Sequence, residues 1–336
     1  MSLPRLLFLP PAAPQTTRIF APAAMEALAS LAEVDRNVHD RQLTEAELAE
    51  RIAAADICVT GPGSPRLGER VVAAAHRLRL VLHSAATVKP YVSAAVYDRG
   101  IVVASASSAI ARVTAEAALA YMMIGNWEAR KWSAAMADGG WKADDVTLPG
   151  LRGRVIGLVG YGAIGQALVP MLRPLAPARI IVCSAHLGAA EAAALGVELA
   201  GLEALLRASD IVSLQTGLTE KTRRLLNART LRFIRDGALL VSIGRGELVD
   251  EAALIAELAT GRFRAVLDVY AKEPLDAASP LRRLPNVTCF PHLGGATANG
   301  REALGWDVVE NLREALAGVT PHGLVTRERA LAQSEY

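Results

Sequence analysis

The sequence predicts an α/β protein made of two doubly wound parallel-sheet units, one inserted into the other. Short apolar runs alternate with longer amphipathic ones from the first residues onward. The alternation breaks once, at a long helical segment and a Gly/Trp-bearing stretch, and then restarts. A glycine-rich turn follows an apolar run near the middle of the chain instead of near its start. Strands that are apolar throughout and separated by helices belong to parallel sheets covered on both faces. A chain of 336 residues has room for two such units, because single cores stop growing at about 250–300 residues.

In order, "RLLFLP", "EVDRNV", "ADICVTG", "LRLVLHS" and "GIVVAS" read as the strands of the first unit. "APAAMEALASLA", "TEAELAERIAA" and "GERVVAAAHRL" read as helices between them. Thr44 and Glu47 stand at the spacing of a capping box, which starts the second of these. One long helix is expected over about residues 112–137, then the irregular "DGGWKADDVTLPGLRG". The strands "RVIGLVG", "RIIVCS", "DIVSLQ", "GALLVSIG", "RAVLDVY" and "VTCFPH" follow, and "GREALGWDVVENLREALAG" closes as a helix packing back on the first unit. The expected division is residues 1–111 with 296–330 for one domain, and 112–295 for the insert. Pro170 is expected to bend the helix in which it falls.

Composition narrows the function classes. A net charge of +2, with Arg and Glu scattered, gives no push toward nucleic acid or an anionic membrane. No apolar run approaches the ~20 residues needed to span a bilayer. "LLFLPPAA" is broken by Pro10 and Pro11 and reads as a strand and loop, not a signal-peptide core. Cys58, Cys183 and Cys289 are too widely spaced for a disulfide framework or a metal site and read as reduced thiols. No metal is expected, and the implied setting is cytoplasmic.

The glycines at 160, 162 and 165 in "GLVGYGAIG" have the spacing of a dinucleotide turn. They follow an apolar strand and open a helical pattern, the context that gives the motif meaning. Gly160 and Gly162 allow a tight turn and close approach of a pyrophosphate, Gly165 allows helix–strand packing, and the helix N-terminus faces the phosphates. Downstream, "SIGRGELVD" sets Arg245 between two glycines past a buried strand. "LDVYAKEPL" sets Asp268 at a strand end with Glu273 in the loop, and "CFPHLGG" sets His292 after another strand. Ligands of open α/β sheets bind beyond the carboxyl ends of strands. An Arg, a Glu and a His there suit an anion clamp with a proton donor.

These motifs jointly resemble the D-isomer-specific 2-hydroxyacid dehydrogenase family. The resemblance runs from "LRLVLHSAATVKPYV" and "RGIVVASASS" through "GLVGYGAIGQAL", "SIGRGELVDEAAL" and "AVLDVYAKEPL" to "NVTCFPHLGGAT". It implies a flavodoxin-like substrate domain with an inserted Rossmann dinucleotide-binding domain. It implies an oxidoreductase that moves a hydride between NAD or NADP and a small D-2-hydroxy or 2-oxo acid. Arg245 would bind the carboxylate and carbonyl oxygen of the substrate. His292 would be the general acid in reduction and the base in oxidation, with Glu273 supporting its protonated form. The implied cofactor residues are Gly160, Gly162, Ala163, Ile164, Gly165, Ser184, Thr216, Thr219, Ile243, Gly244, Asp268 and Gly295, with Asp268 at the nicotinamide end. The implied substrate loop is Ser84, Ala85, Ala86 and Thr87, acting with Arg245. A cation and a proton donor would stabilise the charge that develops on the carbonyl oxygen.

The chain departs from the family's pattern at several places. Ala85 and Ala86 stand where many members have a Gly-x-Gly loop, Ile110 where many have Asn, and Ser242 where many have Asn before the arginine turn. His83 and Lys89 flank the loop and could meet an anionic tail, although each reads first as solvated surface. A dinucleotide site normally has an acid about 20 positions beyond the glycines to hold the ribose. Here no Asp or Glu lies between Gly165 and Glu191, and Ser184 takes the acid's place, leaving NAD and NADP both open with NADP gaining ground. A homodimer through "EAALAYMMIGNW" and the segment to Trp141 is implied by the resemblance, the alternative being that these apolar residues are simply core. The alternative function is a nucleotide-sensing, corepressor-like binding protein on the same fold.

Overall fold

The computed structural model describes residues 3–333. The chain divides into two compact units, Met1–Ile110 with Ala296–Tyr336, and Ala111–Gly295.

The first unit carries five parallel strands: β1 (Arg5–Phe8), β2 (Glu33–Arg36), β3 (Ile57–Thr60), β4 (Leu80–His83) and β5 (Val102–Ser105). Their order across the sheet is β2-β1-β3-β4-β5, the flavodoxin-type doubly wound arrangement. Side chains alternate across a strand, so each apolar strand feeds two cores. Leu7, Cys58, Val81 and Val103 enter one. Leu6, Phe8, Ile57, Val59, Leu80, Leu82 and Ala104 enter the other, where Leu304, Val308, Val309 and Leu312 of the helix Ala298–Leu316 cover them. Strands β3 and β4 are buried at all four positions, whereas β2 at the sheet edge is mostly exposed. The predicted capping box is present: Glu47 N–H donates to Thr44 Oγ1 at 3.3 Å and Thr44 N–H to Glu47 Oε2 at 2.7 Å.

The second unit carries seven parallel strands: β6 (Val155–Val159), β7 (Arg179–Cys183), β8 (Glu198–Leu199), β9 (Ile211–Leu214), β10 (Leu239–Ser242), β11 (Arg264–Leu267) and β12 (Val287–Cys289). Their order is β12-β11-β10-β9-β6-β7-β8, the Rossmann order with one further strand. The same alternation builds its two cores. Val159, Ile181, Val212, Leu214 and Leu240 face one way, and Ile156, Leu158, Val182, Ile211 and Val241 the other.

Two expectations are corrected. The long helix expected over residues 112–137 is two helices, Ser107–Asn126 and Ala129–Ala137, because Glu128 adopts a left-handed conformation with φ 49°. Its carboxylate is held there by Lys131 at 2.9 Å and Arg264 at 3.5 Å. His83 is wholly buried, not solvated, because it ends a central strand whose two faces are both covered. Its Nδ1 pairs with Thr60 Oγ1 at 2.9 Å, and burial pushes its pKa down to about 3, with a weaker opposing pull from the Thr87 backbone. The helix holding Pro170 runs Ala163–Leu172 and tightens into a 3₁₀ turn, Arg173–Leu175.

Candidate active site

In the second unit, the candidate residues stand beyond the carboxyl ends of six strands. Gly160 follows β6, Ser184 follows β7, Thr216 follows β9, Arg245 follows β10, Asp268 follows β11, and His292 follows β12. The sheet order reverses between β6 and β9, which makes that edge the switch point where such folds bind ligands.

The glycine turn has the shape a dinucleotide requires. Gly160 has φ +105°, and a Cβ there would lie 2.7 Å from the Thr216 backbone, so only glycine permits the turn. Gln215 ties the turn down, its Nε2 donating to the Gly160 carbonyl at 3.3 Å while its Oε1 accepts from Ser213 at 2.6 Å. Gly162 is the N-cap of the helix Ala163–Leu172 and offers no side-chain cap, so its first-turn amides and positive dipole end are left to an anion. Gly162 and Ala163 are exposed, Ile164 is half-buried and Gly165 is buried. Beyond β7, Ser184 Oγ accepts from His186 N at 3.2 Å, closing a polar turn without a carboxylate. Beyond β9, Thr219 and Thr222 lock the loop, with Thr219 N–H donating to Thr222 Oγ1 at 2.7 Å. These residues fit a dinucleotide: a side-chain-free cradle, a helix N-terminus and a polar lip beyond β7.

Arg245 sits in the turn between β10 and the 3₁₀ segment Gly246–Leu248. Gly246 is indispensable there, because a Cβ would fall 1.9 Å from the Tyr270 backbone. Arg245 Nη1 donates to the Gly244 carbonyl at 2.8 Å. Burial pulls its pKa below the usual value, while Glu247 and Glu273 act against that shift; the guanidinium remains a cation.

Glu273 bridges two groups. Its Oε1 accepts from Tyr270 N at 3.1 Å and its Oε2 meets His292 Nδ1 at 2.7 Å. A carboxylate at Nδ1 selects the Nδ1–H tautomer and leaves Nε2 as the atom that gains or gives a proton. The His292 side chain is 48% exposed, so it is accessible to a reacting group. Its backbone has φ 54°, an uncommon conformation for a residue with a side chain.

Asp268 holds that conformation. It is wholly buried, and its main-chain carbonyl accepts from His292 N at 2.9 Å. Its carboxylate accepts from Leu293 N at 2.7 Å, Gly294 N at 2.8 Å and the Tyr121 hydroxyl at 2.9 Å. Tyr121 stacks on Phe290 with ring centroids 4.5 Å apart. Burial and then Asp268 raise the Tyr121 pKa, so it stays a donor. Ile243 and Gly244 are buried, their amides both reaching the Leu214 carbonyl at 3.2 Å, and Gly295 is half-buried. Sequence reading missed Tyr121, Phe290 and Gln215. Phe290 lies within "CFPHLGG" and Tyr121 within "EAALAYMMIGNW", but only their partners in space give the three residues a role.

In the first unit, the loop after β4 carries Ser84, Ala85, Ala86 and Thr87. Ser84 N–H donates to the Thr60 carbonyl at 2.9 Å, and its buried hydroxyl meets no partner among the described residues. Likewise no acceptor among the described residues meets the amides of Ala85, Ala86 and Thr87. Across the described residues of both units, no helix is long and apolar enough to cross a membrane. Among those same residues, no cluster of His, Cys, Asp and Glu has metal-binding geometry.

Comparison with known proteins agrees with this geometry. Residues 119–294 match the model of the D-isomer specific 2-hydroxyacid dehydrogenase, NAD binding domain. The chain is 31% identical to the D-3-phosphoglycerate dehydrogenase of Mycobacterium tuberculosis over 95% of its length, and spans 58% of that protein. The chain thus covers little more than half of that relative. It is 32% identical to the glyoxylate reductase of Pyrococcus furiosus, over 88% of this chain and 90% of the relative. The crystal structure of the TT0316 protein from Thermus thermophilus superposes with a TM-score of 0.74 at 31% identity, covering 96% of this chain and all of that one. A Rossmann sheet, a glycine cradle, an Arg–Glu–His set at the strand ends and these matches lead to one assignment: the chain belongs to the D-isomer specific 2-hydroxyacid dehydrogenase family.

Proposed function

We propose that this protein is a cytoplasmic, nicotinamide-dependent oxidoreductase interconverting a small D-2-hydroxy acid and its 2-oxo acid. The observation that carries the reading is the His292–Glu273 pair at 2.7 Å, in the unit that also holds Arg245 and the glycine cradle. The inserted unit, residues 112–295, serves as the dinucleotide domain, and residues 1–111 with 296–330 as the substrate domain. The bound nicotinamide dinucleotide would accept or supply the hydride. Gly160, Gly162, Ala163, Ile164 and Gly165 would hold its pyrophosphate, and Ser184 would face its ribose. Thr216, Thr219, Ile243, Gly244 and Gly295 would line its path, and Asp268 would act near its nicotinamide end.

Arg245 would hold the substrate's carboxylate and stabilise charge developing on the carbonyl oxygen. His292 Nε2 would deliver the proton in reduction and remove it in oxidation. Glu273 would fix the ring through Nδ1, which its Oε2 meets at 2.7 Å. In the first unit, the amides of residues 84–87 would bind an anionic group of the substrate.

The missing acid at Ser184 supports use of NADP at least comparably with NAD. The exposed apolar side chains Met123, Trp127, Met136 and Trp141 support a homodimer. The experiment is a panel of small 2-oxo acids with NADH and with NADPH, followed by nicotinamide absorbance. Turnover of at least one 2-oxo acid is the expected result, and a chain inert toward all of them refutes the reading.

A further inference from the structure

The loop after β4 has a second support that no motif announces. Gln333 lies 245 positions beyond Val88, yet Val88 N–H donates to its Oε1 at 2.8 Å. Its Nε2 in turn donates to the Ala86 carbonyl at 3.3 Å. One primary amide therefore satisfies a donor and an acceptor two residues apart on the loop. Glutamine suits the task because it presents both functions on one planar group.

The segment that delivers Gln333 is itself anchored in the first unit. Val325 N–H donates to the Val103 carbonyl at 2.8 Å, beside the edge strand β5. Thr326 caps the helix Arg327–Ala332 through Arg329 N. Arg327 pairs with Asp98 at 2.7 Å, and Ala330 is buried in the core beneath the loop. From the strand side, Ser84 N–H is bound to Thr60. The loop is thus pinned at residues 84, 86 and 88, and between those points the amides of Ala85, Ala86 and Thr87 meet no acceptor among the described residues. The loop carries Ala85 and Ala86, and its backbone shape is held from outside by Thr60 and Gln333.

We infer that Gln333 is a positioning residue for substrate recognition: by gripping Ala86 and Val88 it holds the amides of residues 85–87 in the arrangement that binds an anionic group of the substrate. This rests on the function proposed above for the loop. A fixed arrangement of donors binds an anion better than a mobile one, because less ordering is lost on binding.

The test uses Gln333→Met, which keeps the length and volume of the side chain and removes its polar amide. The first measurement is amide hydrogen exchange of Val88, whose N–H donates to Gln333, in the full chain without substrate. Faster exchange there, with the rest of the first unit unchanged, is the expected result. Unchanged exchange overturns the clamp, whatever the protein turns over. The second measurement is steady-state kinetics with the preferred 2-oxo acid. The KM for the 2-oxo acid should rise by about three- to tenfold, the scale of one or two lost hydrogen bonds. The kcat and the KM for the nicotinamide should hold within about twofold. A merely structural Gln333 would be replaced by Met without that split, and equal kinetics overturn the recognition role. If exchange changes while wild type reduces no 2-oxo acid, the function proposed above fails, and the inferred role in recognition fails with it.

Discussion

His292 combines chemistry with an unusual backbone. Its left-handed φ of 54° costs about 1–3 kcal/mol in isolation. The main-chain bond to Asp268 and the pair with Glu273 offset that cost and aim the ring. Replacing His292 by Ala should lower turnover by roughly 10²–10⁴, the range for a positioned acid–base group, while dinucleotide affinity stays the same. Turnover assays paired with NADPH fluorescence titration check both halves, and near-wild-type turnover removes His292 from the mechanism. Ser184 is the other informative single residue. The substitution Ser184→Asp would give the ribose hydroxyls of NAD a charged acceptor and set a like charge against the 2′-phosphate of NADP. Hydrogen bonds to charged groups are worth about 1.5–3 kcal/mol, so kcat/KM preference should move toward NADH by about tenfold or more. A wild type that already strongly prefers NADH, unmoved by the substitution, contradicts this role.

At the scale of elements, the helix Ala298–Leu316 is tied to the chain that follows it by His322. His322 Nδ1 pairs with Glu314 at 2.9 Å and Nε2 with Asp307 at 3.2 Å. Asp307 also accepts from Ser108 Oγ at 2.7 Å. Burial alone would lower the His322 pKa, but the hydrogen bonds and charges of Glu314 and Asp307 outweigh it and raise the value above normal. A raised folded-state pKa means the imidazolium contributes stability fully below the ordinary value of about 6.5, and loses it as pH rises through the shifted value. The His322 side chain is 34% exposed, so the contribution is about 0.5–1 kcal/mol after screening. Substituting His322→Gln should therefore lower Tm more at about pH 6 than at about pH 9. Thermal melts of both proteins at the two pH values decide it, and an equal deficit at both refutes the ion-pair contribution.

For the molecule as a whole, the exposed tryptophans bear on assembly. Trp127 is 54% exposed and Trp141 77% exposed, and large apolar side chains left in water are candidates for a contact surface. Sedimentation velocity at low micromolar concentration should show two chains per particle, and Trp127→Asp should shift the population toward one. A wild type that sediments as a single chain across that range refutes the dimer.

Local features were legible before any fold was known. Wholly apolar runs separated by helical ones marked both sheets, the Thr44–Glu47 spacing marked a helix start, and Gly160, Gly162 and Gly165 marked the nucleotide turn. Each follows from the chemistry of a few adjacent residues. Arg245, Glu273 and His292 were legible as candidates because each follows an apolar strand. Packing settled what depends on residues distant in the chain. It paired Tyr121 with Asp268 across 147 positions and Gln333 with Val88 across 245. It buried His83, whose position at a strand end resembled surface until both faces of β4 were covered. It broke the long helix at Glu128, where Arg264 from a later strand holds the carboxylate of a left-handed residue. Short-range pattern specifies which element forms, and only packing specifies which side chains meet.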